Sequence, residues 1–274
     1  MNSVGRYRKR LSLIDEMLAV SGAQSLSGDQ SIALEQVADR CPVSTSLESE
    51  PIRVISHLSA TGGTLFAKCI ASMPNVVVLN EINPFSRMQV PIGKPPFTPT
   101  DIVALVRQGE ASLASDQLIK SLFLDNLAVL RKECWLTGRV LVLRDHSHSQ
   151  FLYRKLDENA PTLRDVVAER FPTLSVVTTR KPENTYASME REGWNKHFSP
   201  STFEEYCRRC VLFENSFKSS QKFTFEDMVT KPRAVMQLLC SALEIAYESS
   251  FEHNFSAHQF SGDSGRGGNT IVER

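Results

Sequence analysis

The sequence carries no excess of charge of either sign: 31 lysines and arginines face 31 aspartates and glutamates, for a formal net charge of zero. A protein that coats nucleic acid needs a surplus of cations, so that class is excluded, whereas a local basic pocket for one small phosphorylated ligand is not. No apolar run approaches the roughly 20 residues that cross a bilayer, so no membrane span is expected. The start of the chain lacks the continuous apolar core of a signal peptide as well. Met1–Val20 opens on Arg6, Arg8, Lys9 and Arg10, and its apolar positions are then interrupted by Asp15 and Glu16. It reads as an amphipathic helix with a basic start. Cysteine is sparse and scattered, at Cys41, Cys69, Cys134, Cys207, Cys210 and Cys240, which excludes a small disulfide-stapled secreted domain. Cys207 and Cys210 form a C-x-x-C pair, but inside Phe203–Phe217, a segment with helical spacing. A redox pair sits at a helix start after a strand, and a zinc site wants a second pair or nearby histidines. Free thiols in a reducing cytoplasm are therefore expected.

What is present is a chain of 274 residues, 41% hydrophobic and 23% charged, an ordinary globular composition with length for one large core. Residues 21–50 are rich in Ser, Ala, Gly, Asp and Glu and read as a linker with a short helix near Ile32–Ala38. The chain is thus divided into an N-terminal helix and linker (residues 1–50) and an α/β domain (residues 51–274), with no internal repeat. Ile52–Leu58 is a β-branched run typical of a buried strand. The turn Ser59–Gly63 follows, then the helical spacing of Thr64–Met73, closed by Pro74-Asn75, and a second strand Val76–Leu79. Strand, helix and strand within about 30 residues make a βαβ unit with a right-handed crossover and parallel strands. Asn83–Thr100 is rich in Pro and Gly and predicts an irregular loop. Helices are expected over Asp101–Gln108, Ser115–Lys132, Thr162–Phe171, Glu183–Glu192, Thr202–Lys218 and Pro232–Leu243. Further strands are expected at Arg139–Leu143, Leu174–Thr178 and Gln221–Thr224, and the tail from Ser261 is Gly-rich and polar. The alternation predicts a doubly wound, mostly parallel sheet flanked by helices, with ligands at the carboxyl ends of its strands.

Four segments at such ends can carry chemistry. The loop Ser59-Ala60-Thr61-Gly62-Gly63-Thr64 joins a strand to a helix, so its backbone N–H groups and the helix dipole can cradle an anion. Gly62 and Gly63 permit positive φ and close approach, and Thr61 and Thr64 bring hydroxyls. No Lys precedes Thr64, so this is not a Walker A loop; a tight turn with a Thr cap fits the same residues. Arg180 follows the fourth strand, with Ser188 eight residues on. An Arg there can grip a phosphate in bidentate fashion, or be a solvated surface charge. Arg144-Asp145-His146-Ser147-His148 follows the third strand and offers His146 as a general base. His146 and His148 would share one side of an extended segment, but with only His57 and His197 elsewhere before the C-terminal region and no carboxylate set, no metal site is expected. A polar loop is the plain alternative. Ser261–Gly268, with Gly265, Arg266 and Gly267, can wrap an anion or fray as a tail.

The order of these four segments resembles that of the sulfotransferases that use 3′-phosphoadenosine 5′-phosphosulfate, a family with a P-loop nucleotide-binding-like fold. In that family a strand–loop–helix such as K-S-G-T-T binds the 5′-phosphosulfate, and Ser59–Leu65 (with Ala60, Thr61, Gly62, Gly63 and Thr64) is similar to it. The family's 3′-phosphate is held by an Arg at a strand end and a Ser eight residues later, which Arg180 and Ser188 match, and Arg180-Lys181-Pro182 looks like its R-x-P. His146 falls where many members carry a catalytic His. Ser261–Gly268 resembles the late Gly-rich basic loop that closes over the nucleotide, and Phe223–Met228 is similar to the family's "yEdL" segment. The resemblance spans about Ile52 to Gly268. It implies sulfuryl transfer from the phosphosulfate donor to a hydroxyl or amine of a small-molecule or carbohydrate acceptor, without a metal. The acceptor is expected against the Asn83–Thr100 loop. One departure stands out: the loop position that is usually Lys or Arg is Ala60, leaving Arg53, Lys68, Arg144 or His57 to supply the charge. Two other classes fit parts of the pattern. A P-loop kinase-like enzyme would need the missing Walker Lys and a Mg²⁺-binding carboxylate, Glu81 being the nearest; an inactive nucleotide-binding module would need neither.

Overall fold

The computed structural model describes Ser44, residues 46–86, Met88, 101–108 and 114–261. The expected helices at Met1–Val20 and Ile32–Ala38, most of the Asn83–Thr100 loop, and Gly265, Arg266 and Gly267 lie outside the described residues. The strands are β1 (Ile52–His57), β2 (Val76–Ile82), β3 (Val140–Asp145), β4 (Thr173–Thr179) and β5 (Gln221–Thr224). They form one sheet in the order β2-β3-β1-β4-β5, parallel throughout. The helices are α1 (Gly63–Ala71), α2 (Ile102–Gln108), α3 (Asp116–Leu136), α4 (His148–Phe151), α5 (Leu163–Ala168), α6 (Pro182–Glu192), α7 (Phe203–Ser216), α8 (Phe225–Thr230), α9 (Pro232–Ala242) and α10 (Phe251–Asn254). The doubly wound α/β expectation is met.

The two faces follow from period-two alternation in strands that are apolar on both sides. Ile55, Val140, Val142 and Val176 pack with Phe66 and Ile70 of α1 and Met236 and Leu239 of α9. Ile52, Val54, Leu141 and Leu143 face the other way, against Phe123 and Leu127 of α3 and Val166 and Val167 of α5. A third apolar cluster joins Leu58 and Val177 to Tyr186 and Met189 of α6 and Tyr206 and Phe213 of α7. Caps set several helix starts. Ser115 accepts from Leu118 N–H ahead of α3, Thr162 and Asp165 make a reciprocal capping box at α5, and Thr202 caps α7.

Three local features depart from the sequence reading. β2 runs three residues past Leu79 to Ile82, through a register shift against β3. A single helical turn, α4, follows the His146 segment. Residues 46–50, read as linker, are fastened to the domain: the Glu50 carboxylate is paired with Arg53 at 2.6 Å, and Arg131 donates to the carbonyls of Leu47, Glu48 and Glu50. Arg53 is fully buried at the opposite end of β1, where it also donates to the Leu243 and Glu244 carbonyls. It is thereby removed as a source of charge for the loop. Cys207 and Cys210 lie on α7 as free thiols. Burial pushes both up, Cys210 to about 12, so neither is a ready nucleophile near neutral pH. No helix among the described residues is long and apolar enough to cross a membrane.

Candidate active site

β1 sends its connection toward β2 on one side of the sheet and β4 sends its connection toward β5 on the other, so a crevice opens at their carboxyl ends. The loop after β1 fills one wall. Ala60 and Gly62 both take positive φ, 61° and 86°, which folds the chain sharply enough to point the start of α1 into the crevice. The first intrahelical bond runs from Phe66 N–H to the Gly62 carbonyl. The N–H groups of Gly63, Thr64 and Leu65 therefore precede the helix ladder and face the crevice with the positive end of the dipole. The glycines are dictated by space as well: a Cβ on Gly62 would sit 2.3 Å from the Phe225 ring, and one on Gly63 would sit 2.4 Å from the His57 ring. Thr61 is buried and donates its hydroxyl to the Leu58 carbonyl at 2.8 Å, so that proton holds the loop. Ser59 lies half-buried in the turn, and Leu65 packs against the α1-side core.

Strand alternation sorts the polar residues at this edge. His57 of β1 and Arg144 of β3 turn to the α1 face; Ser56 and Asp145 turn to the other. On the α1 face Arg144 is 2% exposed. Its Nε donates to His57 Nε2 at 2.8 Å, Nη1 to Asn80 Oδ1 at 2.6 Å and Nη2 to Thr64 Oγ1 at 3.0 Å. Its Nη2 also lies 3.3 Å from the Glu81 carboxylate. Asn80 and Glu81 are adjacent in β2, and regular alternation would send them to opposite faces. The register shift between Leu79 and Ile82, with Glu81 at φ 52°, turns both toward Arg144. Of the four candidate cations, Arg144 donates directly to Thr64 at the end of the loop. His57 receives an Arg N–H at Nε2 and reaches the Leu58 carbonyl through Nδ1 at 3.0 Å. Guanidinium has no acceptor, so His57 is neutral with its proton on Nδ1. Burial and then Arg144 depress its pKa to about 3. His57 is thus a positioning residue for Arg144.

That packing yields a stability prediction. In Gly63→Ala the new methyl meets a ring locked by two hydrogen bonds, so overpacking should cost about 1–3 kcal/mol. A urea midpoint unchanged from that of the parent would refute the tight fit.

On the opposite face Asp145 is fully buried and accepts from Ser147 Oγ at 2.5 Å, Ser56 Oγ at 3.1 Å and Asn83 Nδ2 at 3.3 Å. Desolvation outweighs these bonds and raises its pKa from 3.8 to about 6. A raised carboxyl favours the folded state fully below the unfolded value and loses that contribution as pH climbs through about 6. The rise corresponds to about 3 kcal/mol in full, of which about 2 kcal/mol is lost between pH 4 and pH 7. The unfolding free energy of the parent relative to Asp145→Asn should therefore fall by about that amount over this window; a flat difference would refute it.

His146 lies half-buried beyond Asp145, and its Nδ1 is 2.9 Å from Ser86 Oγ. Its ring meets that of His148 edge-on, 4.0 Å between centroids, and His148 lies 6.1 Å from His57. Burial lowers the His146 pKa, Glu81 opposes the fall and Arg144 adds to it. Burial also drives His148 well below its usual range, reinforced by His146, His57 and Arg144. No group of three metal-binding side chains is formed among the described residues.

The second wall comes from β4. Arg180 Nη1 donates to the Ala60 carbonyl at 3.1 Å, and its guanidinium lies 4.6 Å over the Phe225 ring. Phe225 thus supports both Arg180 and Gly62, a contact that the sequence did not signal. Ser188 sits on the buried face of α6, two turns beyond. Ser261, the first residue of the Gly-rich segment, is bonded at the β2 side of the crevice. Its carbonyl takes an Arg144 N–H at 3.2 Å, and its hydroxyl accepts from Asn80 at 2.6 Å and donates to Glu81 at 3.0 Å. Among the described residues three buried side-chain polar atoms make no hydrogen bond: His148 Nδ1, Thr178 Oγ1 and Arg180 Nε. All three belong to this edge of the sheet.

No protein-family model matches the sequence, and no curated protein sequence is similar to it at a significant level. Solved structures do match. The sulfotransferase domain from the curacin biosynthetic pathway aligns with a TM-score of 0.54 at 17% identity, over 82% of this chain and 88% of that one. The sulfotransferase domain from the Synechococcus PCC 7002 olefin synthase aligns with a TM-score of 0.51 at 15% identity, over 84% and 87%. At such identities the likeness is one of architecture: the five-stranded parallel sheet and its flanking helices are the fold of sulfotransferase domains.

Proposed function

We propose that the chain is a sulfotransferase, with residues 51–274 as its catalytic domain, that moves a sulfuryl group from 3′-phosphoadenosine 5′-phosphosulfate to a hydroxyl or amine of a small-molecule or carbohydrate acceptor. The observation that carries this reading is the gathering of the three unpaired buried polar atoms at the one edge where the loop also turns its N–H groups outward. Buried polar groups without partners are costly, and an anionic ligand in the crevice gives them partners. In this reading the N–H groups of Gly63, Thr64 and Leu65 hold the 5′-phosphosulfate, Arg180 and Ser188 hold the 3′-phosphate, and Gly265, Arg266 and Gly267 contact the nucleotide. Arg144 supplies the positive charge that Ala60 lacks. The acceptor oxygen forms a bond to sulfur as the sulfur–oxygen bond to the 5′-phosphate breaks. His146 takes the acceptor's proton, and the 3′,5′-bisphosphate leaves with the bonding pair. The setting proposed is a reducing cytoplasm, in keeping with the free thiols at Cys69, Cys134 and Cys240.

Calorimetric titration with 3′-phosphoadenosine 5′-phosphate tests the donor site, with ATP–Mg²⁺ as the competing ligand. The bisphosphate should bind, and Arg180→Ala should weaken it about 10–100-fold, the worth of a charge-assisted contact of about 1.5–3 kcal/mol. Binding of ATP–Mg²⁺ alone would replace this reading with a kinase-like one. Donor binding without transfer to any of a panel of phenols, sugars and amines would favour an inactive module.

A further inference from the structure

Apart from the loop, a cavity of about 620 Å³ lies between the segment after α4, the turn Trp194–His197 and α7. Its volume is that of a site for a small organic molecule. Five cationic side chains line it against two carboxylates. Those carboxylates are already engaged: Glu205 takes Arg208 and Arg209, both at 2.7 Å, and Glu158 takes Arg208 at 3.1 Å. The remaining cations, Arg154, Lys155 and Lys196, make no ion pair among the described residues.

Three like charges around one concavity repel each other unless an anion joins them. Arg154 is held there against a backbone cost. Its φ is 53°, and its N–H is tied to the His197 carbonyl at 2.6 Å. Such strain, about 1–3 kcal/mol, persists where surrounding structure enforces it and is concentrated at ligand sites. Half-buried Leu156 adds an apolar wall. The net charge of the lining suits a dianion better than a monoanion, and phosphate better than carboxylate.

The cavity also adjoins the reaction centre. α4 starts at His148, two residues after His146, and the chain reaches Arg154 six residues later. One helical turn and the bent residues 152–154 are all that separate the two places along the chain. His197, on the cavity wall, is close enough to His148 to disfavour its protonation.

We propose that this cavity is a second anion site, separate from the donor loop, which seats the phosphate of a phosphorylated acceptor while the acceptor's hydroxyl reaches His146. The acceptor role rests on the sulfuryl-transfer reading; the anion site does not. The full chain is titrated with phenyl phosphate in the presence of saturating 3′-phosphoadenosine 5′-phosphate. Phenyl phosphate should still bind, at least about tenfold tighter than benzoate, and Lys155→Ala/Lys196→Ala should weaken it about tenfold or more. Both lysines are exposed and without ion pairs, so the variant should fold, and its bisphosphate affinity should match that of the parent. Competition between the two ligands would overturn the proposal by placing phenyl phosphate in the donor site. Equal binding of benzoate, or no change in the double variant, would overturn it as well. Failure of the bisphosphate itself to bind would sink the donor reading, while the phenyl phosphate isotherm still judged the cavity. In the transfer assay 4-hydroxyphenyl phosphate should show a KM about tenfold below that of 4-methylphenol, an advantage lost in the double variant. A preference for the uncharged phenol would overturn the acceptor role.

Discussion

His146→Ala should lower the single-turnover rate of sulfuryl transfer by about 10²–10⁴-fold while leaving 3′,5′-bisphosphate affinity within about twofold, the signature of a lost general base. The expectation rests on position. His146 is the one histidine of its cluster that is neither locked nor enclosed. His57 has both ring nitrogens engaged, and His148 has its Nδ1 buried. His146 is held at Nδ1 by Ser86, and no other hydrogen bond of its ring is formed among the described residues. In the tautomer whose Nδ1–H donates to Ser86 Oγ, Nε2 is the atom offered to a substrate proton.

Burial and Arg144 lower its pKa, so the ring is already neutral at pH 7 and able to accept a proton. The sign of the pH profile follows. kcat/KM should climb from the acid side as His146 loses its proton and level off with a midpoint below 6.5. Glu81 opposes the lowering, so Glu81→Gln should move that midpoint further toward acid. Rates that stay within tenfold of the parent in His146→Ala, or an acid limb unmoved in both variants, would remove His146 from the chemistry.

Much of this architecture was legible because parallel strands buried on both faces write themselves as short β-branched runs. IRVISH, VVVL, LVL and SVVT all stand out, and Pro or Gly marks several of the breaks between elements. The crevice was legible for the same reason, since the candidate segments fall at strand ends. What stayed hidden depends on register. The β1–β3 pairing of Ile55 with Arg144 decides that Arg144, and not Arg53, reaches the loop. Nothing local distinguishes two arginines that both flank apolar strand residues. The bulge at Asn80–Glu81 was hidden too, because its polar residues look like the end of a strand and not its continuation. Asp145 was passed over as part of a polar loop. The available signal was its direct attachment to VLVLR, which leaves a carboxylate no room to leave the sheet. Phe225 supports Arg180 from 45 residues away in the chain, and such a stacking partner has no sequence signature at all.

Arg144 is where these hidden features meet, and its replacement should produce the second large effect. Arg144→Met keeps most of the apolar volume and removes a guanidinium bonded to His57, Asn80, Thr64 and the Ser261 carbonyl. It also leaves Glu81 without its cation. Breaking a buried charge network from one side costs about 3–5 kcal/mol, so the urea midpoint should fall accordingly. In the fraction that remains folded, sulfuryl transfer should drop a further 10²–10³-fold or so, the loss typical of a preorganised electrostatic group. His57 supplies a spectroscopic reporter. With Arg144 gone, one of the three depressing influences on its ring (burial, Arg144 and His146) is removed, and its imidazole resonances should titrate at a higher pH than in the parent. Arg144→Lys restores charge without the fork that reaches four acceptors at once, so it should recover part of the rate and little of the stability. A folded Arg144→Met chain that transfers sulfuryl groups at the parental rate would show that the loop works without the Arg144 guanidinium. Ala60 would then be a true loss of charge, and the loop N–H groups with Arg180 would have to carry the negative charge alone.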